Sequence, residues 1–94
     1  MIEKSDIVKS LNGRDTGKYF FVLNVDDGYA MLADGKGRRV ELPKKKKLKH
    51  VQLAAKTPMR TAEKIRNNEK ITNSDLRRAL AEFAAGANED RGGM

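Results

Sequence analysis

Positively charged side chains that can bind phosphate groups are concentrated in one part of this sequence, the basic segment formed by residues 36–49. Its eight basic residues are Lys36, Arg38, Arg39, Lys44, Lys45, Lys46, Lys47 and Lys49, and its one acid is Glu41. Elsewhere twelve of the 20 basic residues are balanced by twelve of the 13 acids, so the segment carries the whole net charge of +7. Ammonium and guanidinium groups neutralise phosphates and release counterions. The segment therefore predicts binding to a polyanion such as RNA, although a solvated charge run is the alternative.

A second candidate site is the glycine loop, which begins at Gly13 and ends at Gly17 between two apolar runs. Its glycines allow positive φ angles and let backbone N–H groups approach phosphate oxygens. Arg14 and Lys18 could supply a guanidinium fork and a point charge, while Asp15 could orient Arg14 or cap the turn. A turn without any ligand would need glycines as well, so both interpretations stay open.

Base stacking and metal binding depend on residue types that are scarce here. The five aromatic side chains include no Trp, so most of them must build the core. We expect Phe21 and Phe83 in the core and keep Tyr19 and Tyr29 as stacking candidates. The single His50 could donate to a phosphate when protonated or be a structural residue, and without Cys it predicts no metal site.

No arrangement in the sequence indicates catalysis. Asp26 and Asp27 adjoin a hairpin turn and should point to opposite faces, and no nucleophile and base occur together. The turn at residues 34–37 is too short for a P-loop and lacks its Ser or Thr. We therefore predict neither enzymatic activity nor a cofactor.

The expected location is the cytoplasm. No apolar run approaches the ~20 residues of a transmembrane helix, and none resembles the apolar region of a signal peptide. Attachment of the basic segment to an anionic membrane is a weaker alternative, because no amphipathic helix or lipid anchor reinforces it.

Alternating apolar residues predict five short strands in roughly the first fifty residues. The predicted strands are residues 6–11, 18–25, 29–33, 38–42 and 48–53. Asp27-Gly28 predicts a two-residue hairpin turn, and mutual repulsion of the lysines at 44–47 favours a solvated loop. In the second strand, alternation places Val25 on the same face as Phe21. This pattern predicts a small antiparallel barrel over residues 1–54.

Helical periodicity follows from residue 55 onward. One short helix should begin at Thr57-Pro58, and a second should have Asn73 or Ser74 as its cap. Gly86 is the expected residue just beyond the second helix. We expect residues 55–87 to pack on the barrel as a helical extension and residues 88–94 to form a flexible tail.

Residues 6–25, with the glycine loop between two apolar runs, resemble the KOW motif of proteins in the translation and transcription machinery. The loop, Asp26-Asp27 and residues 44–51 are also similar to the fourteen-e family of archaeal and eukaryotic large-subunit ribosomal proteins. They likewise resemble small bacterial KOW-domain RNA-binding proteins. Elongation factors of the NusG type share the motif but carry a larger N-terminal domain. The resemblance implies an SH3-like barrel that contacts ribosomal or other structured RNA.

The expected function is RNA binding by a ribosome-associated protein that is a monomer when free. Contacts are expected from the glycine loop, Lys18, the basic segment and His50, mostly to the phosphate backbone. Ribosomal proteins are possible further partners. The alternative is a protein-interaction adapter whose helices dock on ribosome or RNA polymerase components.

Overall fold

The computed structural model describes the backbone of residues 1–92 and the side chains of residues 1–86. Within these residues the chain forms one five-stranded antiparallel sheet and two helices, so the predicted mainly β class with a helical appendage is confirmed. The strands are β1 (Ile7–Ser10), β2 (Tyr19–Asp26), β3 (Tyr29–Ala33), β4 (Lys44–Lys47) and β5 (Val51–Ala55). A 3-10 turn, Leu48–His50, joins β4 to β5, and the helices are α1 (Arg60–Arg66) and α2 (Asn73–Gly92).

The sheet is open, with the strand order β4-β3-β2-β1-β5 and with β4 and β5 at its edges. Two backbone hydrogen bonds tie the 3-10 turn to other parts of the sheet. Leu48 N donates to Gly28 O and Leu11 N donates to His50 O, each at 2.9 Å. The turn between β2 and β3 is the predicted two-residue turn, because Asp27 and Gly28 have φ angles of 48° and 79°.

Both faces of the sheet are buried. One face forms a cluster of its own side chains, namely Val8, Phe20, Val22, Ala30, Leu32 and Val51. The other face, with Ile7, Phe21 and Ala33, packs on Ala62, Ile65, Leu76 and Ala79 of the two helices. Adjacent residues of β2 therefore enter different clusters, as the alternation of a strand requires. Phe21 is fully buried, and Phe83 packs half-buried on the helical side.

An irregularity in β2 changes the face of its last residues. Val22 lies opposite Leu32 but Asn24 lies opposite Met31, so β2 contains one extra residue, Leu23. Val25 consequently packs with the first cluster, on the face opposite to Phe21. The prediction from strict alternation was wrong for Val25, because a bulge shifts the register by one residue.

The basic segment folds differently from its prediction. Residues 38–42, predicted as a strand, form turns, because the N–H groups of Arg38 and Val40 bond to side chains and that of Leu42 bonds to Arg39 O instead of a ladder. Asp34 Oδ1 accepts hydrogen bonds from Lys36 N and Arg38 N at 2.9 Å each, and Asn73 Oδ1 accepts one from Val40 N at 2.8 Å.

The four lysines predicted as a loop instead form the edge strand β4. The reason is that Lys44 and Lys46 are paired with Asp15, which removes much of the repulsion on which the loop prediction depended. The closing strand was predicted from residue 48, but the 3-10 turn takes its first three residues and β5 begins at Val51.

The helix boundaries also depart from the prediction. Thr72 caps α2: its hydroxyl accepts a bond from Asp75 N (3.1 Å) while Asp75 Oδ2 accepts one from Thr72 N (3.0 Å). Asn73 and Ser74 are therefore not the cap. The helix continues through Gly86 to Gly92, so Gly86 does not end it. Helix α1 begins two residues later than Pro58. The side chains of the predicted flexible tail, residues 88–94, and all of residues 93–94 lie outside the described residues.

Across the part of the chain that the structure describes, neither helix has the length and apolar character required to cross a membrane.

Candidate nucleic-acid interface

A buried charge cluster joins the glycine loop to β4. The Lys46 ammonium group lies 2.8 Å from Asp15 Oδ1, 2.6 Å from Ser10 Oγ and 2.5 Å from Asn12 O. Ser10 Oγ also donates to Asp15 Oδ1 at 2.7 Å. Lys44 Nζ lies 3.0 Å from Asp15 Oδ2. Lys46 is only 7% exposed, so its ammonium group is bonded inside the fold and is not accessible to a phosphate.

These contacts control the ionisation of Asp15. Burial by itself raises the pKa of the Asp15 carboxyl, but hydrogen bonds from Lys46, Ser10 and Lys44 outweigh it. The pKa of Asp15 is therefore held far below its ordinary value of 3.8. Asp15 does not pair with Arg14, as one interpretation of the loop proposed; it fixes the loop to two lysines of β4.

Acid should weaken the domain through this carboxylate. Because the pKa of Asp15 is depressed in the folded state, its stabilising contribution is present above its ordinary value of 3.8 and is lost as the pH falls toward the folded value. We expect the stability advantage of the natural protein over the Asp15→Asn/Lys46→Met variant to shrink below that pH.

Urea unfolding between about pH 7 and about pH 2 measures this difference. The pKa values of Glu41 and Asp75 are also lowered, that of Glu41 by the Asn73 amide and that of Asp75 by the Thr72 backbone. The natural protein and the variant both contain these groups, so their effect cancels in the difference. A pH-independent difference between the two proteins would contradict the role given to Asp15.

The glycine loop has the predicted backbone conformation, since Gly13 and Gly17 both have φ angles of 87°. Two of its five N–H groups are engaged: Thr16 N donates to Gly13 O and Gly17 N donates to Ser10 O. The adjacent Lys18 N donates to Asp15 O. Among the described residues, the N–H groups at positions 13–15 have no hydrogen-bond partner. Only this first half of the loop can donate to a phosphate.

Next to the buried charge cluster lies a cavity of about 240 Å³, which we call the loop cavity. Predicted site residues from three stretches of the sequence line it. Its cationic lining consists of Arg14, Lys18, Arg38 and Lys44, and its acids are Asp15 and Asp34. Asp15 is neutralised by two lysines. Arg14, Lys18 and Arg38 are exposed, and no ion pair is formed by them among the described side chains. The loop cavity is therefore suited to phosphate binding.

A larger cavity of about 570 Å³, here the helix cavity, adjoins it beside α2. Both cavities are lined by Lys18, Asp34 and Gly37, and the helix cavity adds Lys36 and Arg77. We call the two cavities together the cationic groove. Arg77 was not predicted as a site residue, because it lies on a helix of mixed charge and is distant in the sequence from the basic segment. Only its contact with the β3–β4 loop, where Nη1 donates to Gly35 O at 2.6 Å, places it there.

The other predicted residues lie apart from the groove. Alternation in β4 directs Lys45 and Lys47 to the face opposite Lys44 and Lys46, and Lys45 Nζ lies 4.5 Å from the centre of the Tyr29 ring. Arg39 pairs with Glu41 at 3.5 Å, although both side chains are largely exposed. Lys49 and His50 occupy the 3-10 turn that follows β4. Residues 36–49 thus do not form one continuous surface.

The buried cluster places a hydroxyl beside two ionisable groups, an arrangement that also occurs in nucleophilic catalysis. Ser10, Lys46 and Asp15 are in mutual hydrogen-bond contact, but Ser10 is fully buried, so no substrate can reach its hydroxyl. Among the described residues, no group of three His, Cys, Asp or Glu side chains is placed to hold a metal ion.

Comparison of the sequence with models of known protein families gave no match, and comparison with curated proteins gave none either. The fold and the site define a small β-sheet domain with a helical appendage and a cationic groove. Its function is inferred from this geometry and charge.

Proposed function

We propose that this chain is an RNA-binding protein of the translation machinery that holds structured, ribosomal RNA in the cationic groove. One observation carries the proposal: the Asp15 ion pairs with Lys44 and Lys46 bring the glycine loop and the basic segment together. As a result Arg14, Lys18 and Arg38 line one cavity. Several cations along one concave surface neutralise successive phosphates of a backbone.

The proposed RNA contacts are a subset of the predicted ones. They are Gly13, Arg14, Lys18, Lys36, Arg38 and Lys44, with Arg77 added. Gly17 is left out because its N–H already donates to Ser10 O. Lys46 is left out because its ammonium group is buried and bonded to three oxygen atoms. Lys45, Lys47, Lys49 and His50 would form a separate, weaker contact region around β4 and the 3-10 turn.

We further propose that residues 1–54 are an SH3-like barrel of the KOW type. Three features support this assignment: the strand order with β1 between β2 and β5, the 3-10 turn before β5, and the burial of both sheet faces. The resemblance of residues 6–25 and 44–51 to KOW proteins and to the fourteen-e ribosomal family is the basis for naming ribosomal RNA. Cations that line the groove suit contacts with the phosphate backbone and little sequence readout.

Binding of the full chain to a labelled ribosomal RNA hairpin across a salt series tests this proposal. If about five phosphates are contacted, log K should fall with log salt with a slope of roughly −4 to −5. Replacing Lys18 and Arg38 by Gln removes two groove cations and should reduce the magnitude of that slope by about 2.

The matched control is the Arg60→Gln/Lys70→Gln variant, which removes the same charge from exposed positions outside the groove. It should keep the slope of the natural protein. Equal losses in the two variants would mean that net charge alone, and not the groove, binds RNA. If the protein stays with its partner after nuclease treatment and shows no salt-dependent RNA binding, the adapter function is favoured instead.

A further inference from the structure

The helix cavity has a composition that a phosphate site alone does not require. Beside its charged residues it is lined by Tyr19, Leu80 and Ala81, which form an apolar side between β2 and α2. Its volume of about 570 Å³ is within the ~300–1,000 Å³ of clefts that hold small molecules. The cavity therefore combines an apolar wall with a cationic rim.

The aromatic ring in this wall is held in place. Tyr19 and Phe83 are in an edge-to-face contact, with ring centres 5.3 Å apart and an interplanar angle of 70°. Tyr19 nevertheless stays 38% exposed and lines the cavity. A fixed and partly exposed ring is a stacking surface that loses little entropy when a second flat ring binds to it.

The cationic rim is fixed as well. The Arg77 guanidinium donates to Gly35 O at 2.6 Å and to Ser74 Oγ at 3.0 Å. A guanidinium has five N–H donors, so three of them remain for a ligand. Lys18 lines both cavities, which places a cation where a bound chain would pass from one cavity to the other.

We propose that the helix cavity binds a single unpaired nucleobase of the RNA, stacked on Tyr19, while the phosphates beside that base bind Lys18 in the junction and the cations of the loop cavity. This inference rests on the proposed RNA-binding function and gives it a specificity. Stacking on an aromatic ring beside cations is how proteins hold unstacked bases. The protein would prefer RNA with a bulged or looped-out nucleotide to a continuous duplex.

The absence of Trp and the presence of only two Tyr give a direct measurement. In the Tyr29→Phe variant Tyr19 is the sole Tyr and the main source of intrinsic fluorescence. Three RNA hairpins of equal length are titrated into it: one with a fully paired stem, one with a single-nucleotide bulge and one with an abasic bulge. We expect the bulged hairpin, and not the abasic one, to quench Tyr19 fluorescence. The bulged hairpin should also bind about 5- to 100-fold more tightly than the abasic one.

Variants of Tyr19 separate stacking from folding. Tyr19→Phe retains a ring and should keep the preference for the bulged hairpin, whereas Tyr19→Leu retains apolar packing on Phe83 and should lose it. Salt-dependent binding of all three RNAs with equal affinity would overturn the base pocket and leave the proposed RNA-binding function intact. Absence of binding to every RNA would reject both. Equal quenching of Tyr19 by an acidic peptide would also overturn the assignment to a nucleobase.

Discussion

The Asp15→Asn variant is expected to unfold with a free energy about 3–5 kcal/mol lower than that of the natural protein. The substitution leaves the Lys46 ammonium group, 7% exposed, without its counter-ion. A buried charge that has lost its partner is far more costly than an ion pair removed as a whole. Since small domains have a total stability of only ~5–15 kcal/mol, this single change should remove a large share of it.

Thermal and urea unfolding measure the effect, and the melting temperature should fall by more than ~10 °C. The Asp15→Asn/Lys46→Met variant removes both charges and should recover much of the loss. Asp27→Asn is the matched control, because it makes the same chemical change at an exposed turn where Asn tolerates the positive φ. A loss below ~1 kcal/mol in Asp15→Asn would mean that the cluster does not hold the loop to β4.

The second large effect is expected at Gly35, in the β3–β4 loop. Gly35 has a φ angle of 78°, which is unfavourable for any residue with a Cβ. A Cβ at this position would also overlap the carbonyl group of Asn73 and lie 3.2 Å from Arg77 Cγ. Gly35→Ala should therefore lower the free energy of unfolding by about 3 kcal/mol or more, from backbone strain and forced separation of α2.

Gly28→Ala provides the control for backbone strain alone. Gly28 has nearly the same φ angle, 79°, but nothing lies within 4 Å of the position of its Cβ. It should lose only about 1–2 kcal/mol, so the difference between the two variants measures the contact with α2. Equal losses in urea unfolding would show that α2 can move away from the loop without cost.

Local patterns in the sequence were sufficient for the parts of the fold that local physics determines. The strand β3, the Asp27-Gly28 turn and the positive φ angles of Gly13 and Gly17 follow from alternation and turn chemistry. The bulge at Leu23 could not be predicted, because nothing in its residue type marks an extra residue in the ladder. The side of the sheet on which Val25 lies therefore could be determined only from the structure.

The candidate site was predictable in its charge but not in its arrangement. The concentration of cations in residues 36–49 is visible in the sequence. Which lysines face the solvent depends on Asp15, whose partners are 29 and 31 residues away in the chain. The same limit applies to Arg77, which joins the groove only because α2 packs against Gly35. Long-range contacts of this kind have no local signal.

The lysine-rich strand β4 has a consequence for the behaviour of the protein in concentrated solution. An unpaired edge strand offers free N–H and C=O groups to the edge of another molecule, which is a common start of aggregation. Lys45 and Lys47 are exposed on this edge, so two copies that approach along β4 repel each other. Neutralising these two ammonium groups, for example by acetylation, would make the edge adhesive and lower the solubility of the chain.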